Sequence, residues 1–193
     1  MATFGYSDNP VVEADASTNI VWFKAQSTPA SNGSLTSITL LQSASYSAGQ
    51  TMFVALYSDD GGSPSKPHTL LASIATGGGS LSNVSYGTTT SNISYASLVA
   101  GTQYWFGIAC SSWSAYLGWY FNISGTDINF ATNDCYYGGT DTSWPATAES
   151  NLTFYNECGG AYATYTPSAG GATWLKEGYL WQPQGQGGGN PCF

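Results

Sequence analysis

Two stretches of alternating side chains set what this chain can become. Residues 51–72, TMFVALYSDDGGSPSKPHTLLA, follow the turn pair Ala48-Gly49, and residues 98–111, LVAGTQYWFGIACS, contain the turn pair Ala100-Gly101. In the first, Met52, Val54 and Leu56 face one way, and Phe53, Ala55 and Tyr57 face the other. That period of two is the mark of a strand. Both faces are apolar, which predicts a central strand with a core on one side and an aromatic surface or partner on the other. Asp59-Asp60-Gly61-Gly62 then ends the strand, because Asp-Gly supplies the positive φ of a tight turn. Val54, Leu56, Trp105, Phe106 and Ile108 are the expected centre of the core.

The rest of the chain repeats this rhythm. Residues 19–26, 34–42, 69–75, 117–123, 127–131, 151–156 and 161–166 read as strands, with turn residues at intervals of about ten. The pairs 117–123 with 127–131, and 151–156 with 161–166, read as neighbours. Residues 80–97 are rich in Ser, Thr and Asn, with thinly spaced apolar positions, and read as one or two exposed strands. No helical stripe longer than about two turns interrupts them. The predicted fold is all-β, an antiparallel two-sheet β-sandwich. Residues 1–18 read as an extended lead-in, 19–166 as the sandwich domain, and 167–193 as a C-terminal arm ending in a Gly-rich tail.

Charge is scarce. The 193 residues hold three lysines, no arginine and one histidine, and the net charge of -8 reflects this shortage of bases. Phosphate backbones and anionic membranes are held by Lys and Arg, so neither nucleic acid nor a membrane surface is an expected partner. No apolar run approaches the ~20 residues of a spanning helix. Aromatic residues make up 15% of the chain, which excludes a disordered composition. The N-terminal MATFGY lacks the charged and apolar regions of a signal peptide. Release in a virus particle by lysis is one route out of the cell that needs none.

Residues 54–59 (VALYSD), Pro64 or Pro67, Leu70-Leu71-Ala72 and residues 98–108 (LVAGTQYWFGI) together resemble a loosely defined group of β-sandwich modules. Trp144-Pro145, followed by the Tyr-rich segment 162–165, is similar to their later segments. The likeness covers residues 3–166. It implies a jelly-roll-like domain of phage and virus structural proteins or of secreted microbial surface proteins. It implies no enzymatic activity, and the arm after Pro167 departs from it.

Candidate chemistry is sparse. Asp59 and Asp60 form an oxygen-rich turn of the kind that can bind calcium; the plainer reading is a pair of turn-forming Asx residues. His68 sits in a Pro-flanked loop with no G-x-S-x-G elbow anywhere in the chain. The carboxylate pairs Glu149/Glu157 and Asp127/Asp141 have no spacing that singles either out for glycoside hydrolysis. Cys110, Cys135, Cys158 and Cys192 contain no C-x-x-C pair and lack the histidines of a zinc site. They are buried thiols or one or two disulfides, with Cys135 and Cys158 able to pair. Sequons stand at Asn32, Asn83, Asn92, Asn122 and Asn151. No cofactor is expected.

Aromatic side chains carry the binding candidates. Trp113, Tyr116, Trp119, Tyr120, Tyr136, Tyr137 and Trp144 are denser than a core needs, and such side chains suit both sugar stacking and protein interfaces. In the arm, Trp174, Leu175, Tyr179, Leu180 and Trp181 stand among Gly, Pro and Gln and cannot make a core alone. The expectation is therefore a non-enzymatic virion structural protein (decoration, cement, head-fibre or tail component), at a virion surface or outside the cell. Its partners would be copies of itself and other virion or surface proteins. The alternatives are a carbohydrate-binding adhesion module using the Trp/Tyr cluster, and a secreted surface or filament subunit.

Overall fold

Burial along residues 51–59 alternates between two environments, and the sandwich is built outward from that strand. The computed structural model describes residues 1–6, 13–17, 20–42, 50–74, 76–81, 87–110, 117–122, 135–138, 144–148, 153–155 and 158–169. Every regular element among them is a strand. In chain order these are β1 (Ala2–Gly5), β2 (Glu13–Ser17), β3 (Ile20–Lys24), β4 (Gly33–Gln42) and β5 (Thr51–Asp59). Next come β6 (Pro67–Ser73), β7 (Gly79–Ser80), β8 (Gly87–Leu98), β9 (Tyr104–Cys110) and β10 (Leu117–Asn122). The last are β11 (Cys135–Gly138), β12 (Thr153–Tyr155), β13 (Cys158–Gly159) and β14 (Ala161–Pro167). No described helix is long and apolar enough to cross a membrane, which says nothing of a β-barrel.

One sheet runs β1-β14-β4-β8, and the other runs β12-β11-β3-β9-β5-β6 with β7 paired to β5. A small third sheet runs β13-β10-β2. Pairing is antiparallel throughout. The chain is thus an all-β sandwich, as its periodicity predicts. Between the two large sheets lie Phe4, Leu35, Ile38, Leu40, Ala163 and Tyr165 from one side, and Val21, Phe23, Met52, Val54, Leu56, Phe106 and Ile108 from the other. Buried tyrosines keep their hydroxyls bonded: Ala30 N–H donates to Tyr165 Oη at 3.1 Å, and Val99 N–H to Tyr104 Oη at 2.9 Å.

The five expected core residues are all buried. They divide between two faces. Val54, Leu56, Phe106 and Ile108 point between the sheets, whereas Trp105 belongs to a second cluster on the outer face of β3, β5 and β9.

Several local expectations change. Within the lead-in, Ala2–Gly5 is an edge strand on β14, and Phe4 packs against Tyr104, Phe106 and Tyr165. Four residues are too few to show a period. Residues 87–98 form one twelve-residue strand, not a wholly exposed one. Its inward positions include Thr89 and Ser91, whose hydroxyls are satisfied. Ser91 donates to Met52 O at 2.6 Å and accepts from Gly79 N at 2.8 Å, and Thr89 bonds Gln42 Oε1. The Ser91 bonds tie the β8 edge to β5 and β7.

The expected partner strand, residues 127–131, lies outside the described residues; the strand at 117–122 pairs with β2 and β13. Likewise β12 joins β11, and β14 joins β1 and β4, so these two strands sit in different sheets.

Candidate functional site

The second face of β5 is where the aromatic expectation can be tested. Ala55 and Tyr57 from β5, Ile20 and Trp22 from β3, and Trp105 and Ala109 from β9 make a buried cluster. Leu70 of β6 and the segment 144–148 pack on it. That segment runs antiparallel to β6: Leu70 N–H donates to Ala146 O at 3.0 Å, and Ala148 N–H donates to His68 O at 2.8 Å. It acts as a short strap closing the free edge of β6 and covering part of the sheet.

Trp144 leads the strap. Its ring centroid is 6.5 Å from that of Tyr57, and its indole N–H donates to Ile74 O at 2.9 Å. The ring fits because residue 107 is glycine; a Cβ there would lie 2.7 Å from Trp144 Cζ3. Tyr57 meets Trp22 edge-on at 5.9 Å and donates its hydroxyl to Pro145 O at 2.9 Å. Burial pushes the Tyr57 phenol well above its ordinary value. The Trp22 indole pulls weakly the other way, although its N–H makes no hydrogen bond of normal geometry. This is a closed aromatic layer occupied by the chain's own strap.

Asp59 and Asp60 are engaged in the turn. Trp105 Nε1–H donates to Asp59 Oδ1 at 2.8 Å, and Gly61 N–H donates to Asp59 Oδ2 at 2.9 Å. Gly62 and Lys66 N–H both donate to Asp60 Oδ1, at 2.9 and 2.8 Å. Burial opposes ionisation of Asp60, but these bonds and the Lys66 charge outweigh it and hold the carboxyl below its usual value. Gly61 has φ 71°, the conformation expected of an Asp-Gly turn. The geometry is that of an Asx turn. No group of three or more His, Cys, Asp or Glu forms among the described residues. His68 is exposed, its Nδ1 3.0 Å from Thr69 Oγ1.

The other candidates are placed only partly. Trp119 and Tyr120 stand on β10 opposite Asp15 and Ala14, and Tyr136 and Tyr137 stand on β11 opposite Trp22 and Val21. Trp113, Tyr116, the arm residues Trp174, Leu175, Tyr179, Leu180 and Trp181, and the carboxylates Asp127, Asp141, Glu149 and Glu157 lie outside the described residues. Cys110 is buried as a free thiol; Cys135 and Cys158 stand on β11 and β13, and Cys192 lies outside the described residues.

A feature that an aromatic search overlooks lies on the opposite side of the molecule. The outer face of the β1-β14-β4-β8 sheet presents Thr88, Thr90, Asn92 and Ser94, all exposed, and a half-buried Tyr162. The signal in the sequence is the spacing of two between hydroxyl and amide residues in GTTTSNIS. No protein-family model, curated protein or solved structure matches the chain.

Proposed function

We propose that this chain is a non-enzymatic structural protein of a virion surface, a decoration, cement, head-fibre or tail component. It works by packing against copies of itself and against other virion or surface proteins. The carrying observation is the apolar arm. The described members of both core clusters come from residues no later than Tyr165, and β14 ends at Pro167. Trp174, Leu175, Tyr179, Leu180 and Trp181 follow in a setting of Gly, Pro and Gln. Each large apolar side chain gains ~1.5–3 kcal/mol on full burial, so the arm favours a docked state over exposure to water. Docking on a neighbouring subunit gives assembly at little conformational cost. The resemblance to jelly-roll-like modules of phage and virus structural proteins points the same way. The test is truncation after Ala169, which retains all of β14 and the Ser168 N–H bond to Asn32 O. The expected product is folded but no longer assembles.

A further inference from the structure

We infer that Cys135 and Cys158 form a disulfide that fastens the margin of the larger sheet to the stretch of chain crossing to the other sheet. Register carries the argument. β11 begins at Cys135, which stands between Tyr155 of β12 on one side and Phe23 of β3 on the other. Only residues 156–157 separate Tyr155 from Cys158, the first residue of β13. Yet β13 touches β3, which lies beyond β11 from β12. To reach it the chain has to pass β11. Because β12 ends at Tyr155, level with Cys135, the crossing falls at the end of β11 where Cys135 stands.

Face and distance agree with this. Directly opposed residues on antiparallel strands share a face. Cys135 therefore occupies a position on the face of Phe23, and Phe23 belongs to the core between the two large sheets. The chain crosses to that same side. Just past β13, Gly160 O accepts from Leu41 N–H at 2.7 Å, and Ala161 then opens β14 in the other sheet. Cα atoms of β13 come within 8 Å of β3, and β11 is the strand beside that contact. A disulfide spans up to ~7 Å between Cα atoms, about one and a half strand spacings. Cys110 is too far away to take either place. Phe106 stands opposite Phe23, and Cys110 lies ~13 Å further along β9, buried as a free thiol.

The oxidant is a low-molecular-weight disulfide. One cysteine thiolate attacks a sulfur of that molecule, forms a mixed disulfide and releases one small thiol. The other cysteine thiolate then attacks the protein sulfur of the mixed disulfide, forms the 135–158 bond and releases the second small thiol. Two electrons pass to the small disulfide, and the two cysteine protons end on the released thiols. The bond closes a loop from residue 136 to residue 157 and so removes freedom from the unfolded chain. It also secures β11 and β12, whose ladders of four and three residues are short. Such a bond persists in an oxidising compartment and opens in a reducing one. It does not depend on the arm or on assembly.

Non-reducing peptide mapping tests the inference on the full-length protein, oxidised with glutathione disulfide and then alkylated in denaturant. Trypsin has no site between Lys66 and Lys176, so chymotrypsin, which cuts after Tyr136, Tyr137 and Tyr155, separates the two cysteines. The expected map joins the Cys135 peptide to the Cys158 peptide and finds Cys110 alkylated. Reductant should lower the thermal midpoint of the oxidised parent by about 6–12 °C. Cys192→Ser should retain that shift. Cys135→Ser and Cys158→Ser should each start at the lowered midpoint, the double variant should go no lower, and reductant should move none of the three. If a serine variant fails to fold, the map and the reductant shift of the parent still decide. The inference is overturned if both cysteines carry the alkyl label in the oxidised parent, or if either is joined instead to Cys110, to Cys192 or to a second copy. It is also overturned if the 135–158 bond forms and reductant leaves the midpoint unchanged, because the bond would then fasten nothing.

Discussion

Leu56 and Tyr57 are adjacent on one strand yet serve different layers, and each supplies a test. Leu56 stands opposite Phe106 with no exposed surface between the two sheets. Leu56→Ala removes buried methyl groups and leaves a cavity that β5 and β9, paired on both sides, cannot close. A loss of ~2–5 kcal/mol in the denaturant-unfolding free energy is expected. Tyr57 tests the outer layer through pH. Its folded-state pKa is raised, first by burial, so the folded protein keeps the proton when the unfolded chain releases it. Its contribution is fully present below the ordinary tyrosine value of about 10 and is lost as pH rises through the higher folded value. The unfolding midpoint should therefore fall on the alkaline side, and Tyr57→Phe should flatten that fall. A parallel alkaline profile for both proteins would mean that the phenol is not held neutral. The variant also leaves Pro145 O without its donor, so its midpoint at neutral pH should be lower than the parent's.

At the scale of elements, strand β8 shows both how the fold works and why part of it was hidden. Its outward residues are Thr88, Thr90, Asn92 and Ser94, and its inward ones begin with Thr89 and Ser91. A period of two in hydrophobicity cannot appear where both faces carry hydroxyls, so the sequence reads as an exposed stretch. The inward hydroxyls become core residues only because Gln42 of the neighbouring strand β4, and Met52 O and Gly79 N of the opposite sheet, meet them. Strands β5 and β9 were legible because their own residues carry the alternation, and the Asp59–Gly62 turn was legible because Asp-Gly chemistry is local. The small strand β1 and the pairings of β10 and β12 were not, since partner choice depends on residues distant in sequence. The aromatic candidates were legible as a class but not by role: Trp144 covers the sheet as part of the strap, and sequence density alone does not distinguish a covering indole from a ligand-binding one. Ser91→Ala tests the β8 junction. Removing this hydroxyl leaves Met52 O and Gly79 N without a buried partner, and a loss of about 1–3 kcal/mol is expected in chemical denaturation. Faster hydrogen exchange at Gly79 should accompany it. An unchanged midpoint and unchanged exchange would show that the two sheets do not depend on this seam.

For the whole molecule, the deciding question is whether the sandwich is complete without residues 170–193. Two observations suggest that it is. The strands β3, β9 and β5 are covered on both faces, by the opposite sheet on one side and by Leu70, Trp144 and Ala148 on the other. The last strand is also anchored beyond its end, where Ser168 N–H donates to Asn32 O at 2.8 Å. The rival arrangement has the arm folding back to seal an edge of its own sandwich, and the two make opposite predictions for a chain ending at Ala169. If the arm docks on a neighbour, its removal takes nothing from the monomer's core: the thermal midpoint at high dilution should match that of the full-length monomer. Sedimentation velocity over a concentration series should then show assembly in the full-length protein and a single monomeric species in the truncated one. Trp181→Ser within the full chain should produce a partial form of the same loss, because each large apolar contact in the arm adds ~1.5–3 kcal/mol when fully buried. If instead the truncated protein loses its β-sheet circular-dichroism signal as a dilute monomer, the arm belongs to its own core. Assembly would then have to be sought on another surface, and the proposal of an arm-driven structural subunit would fail with it.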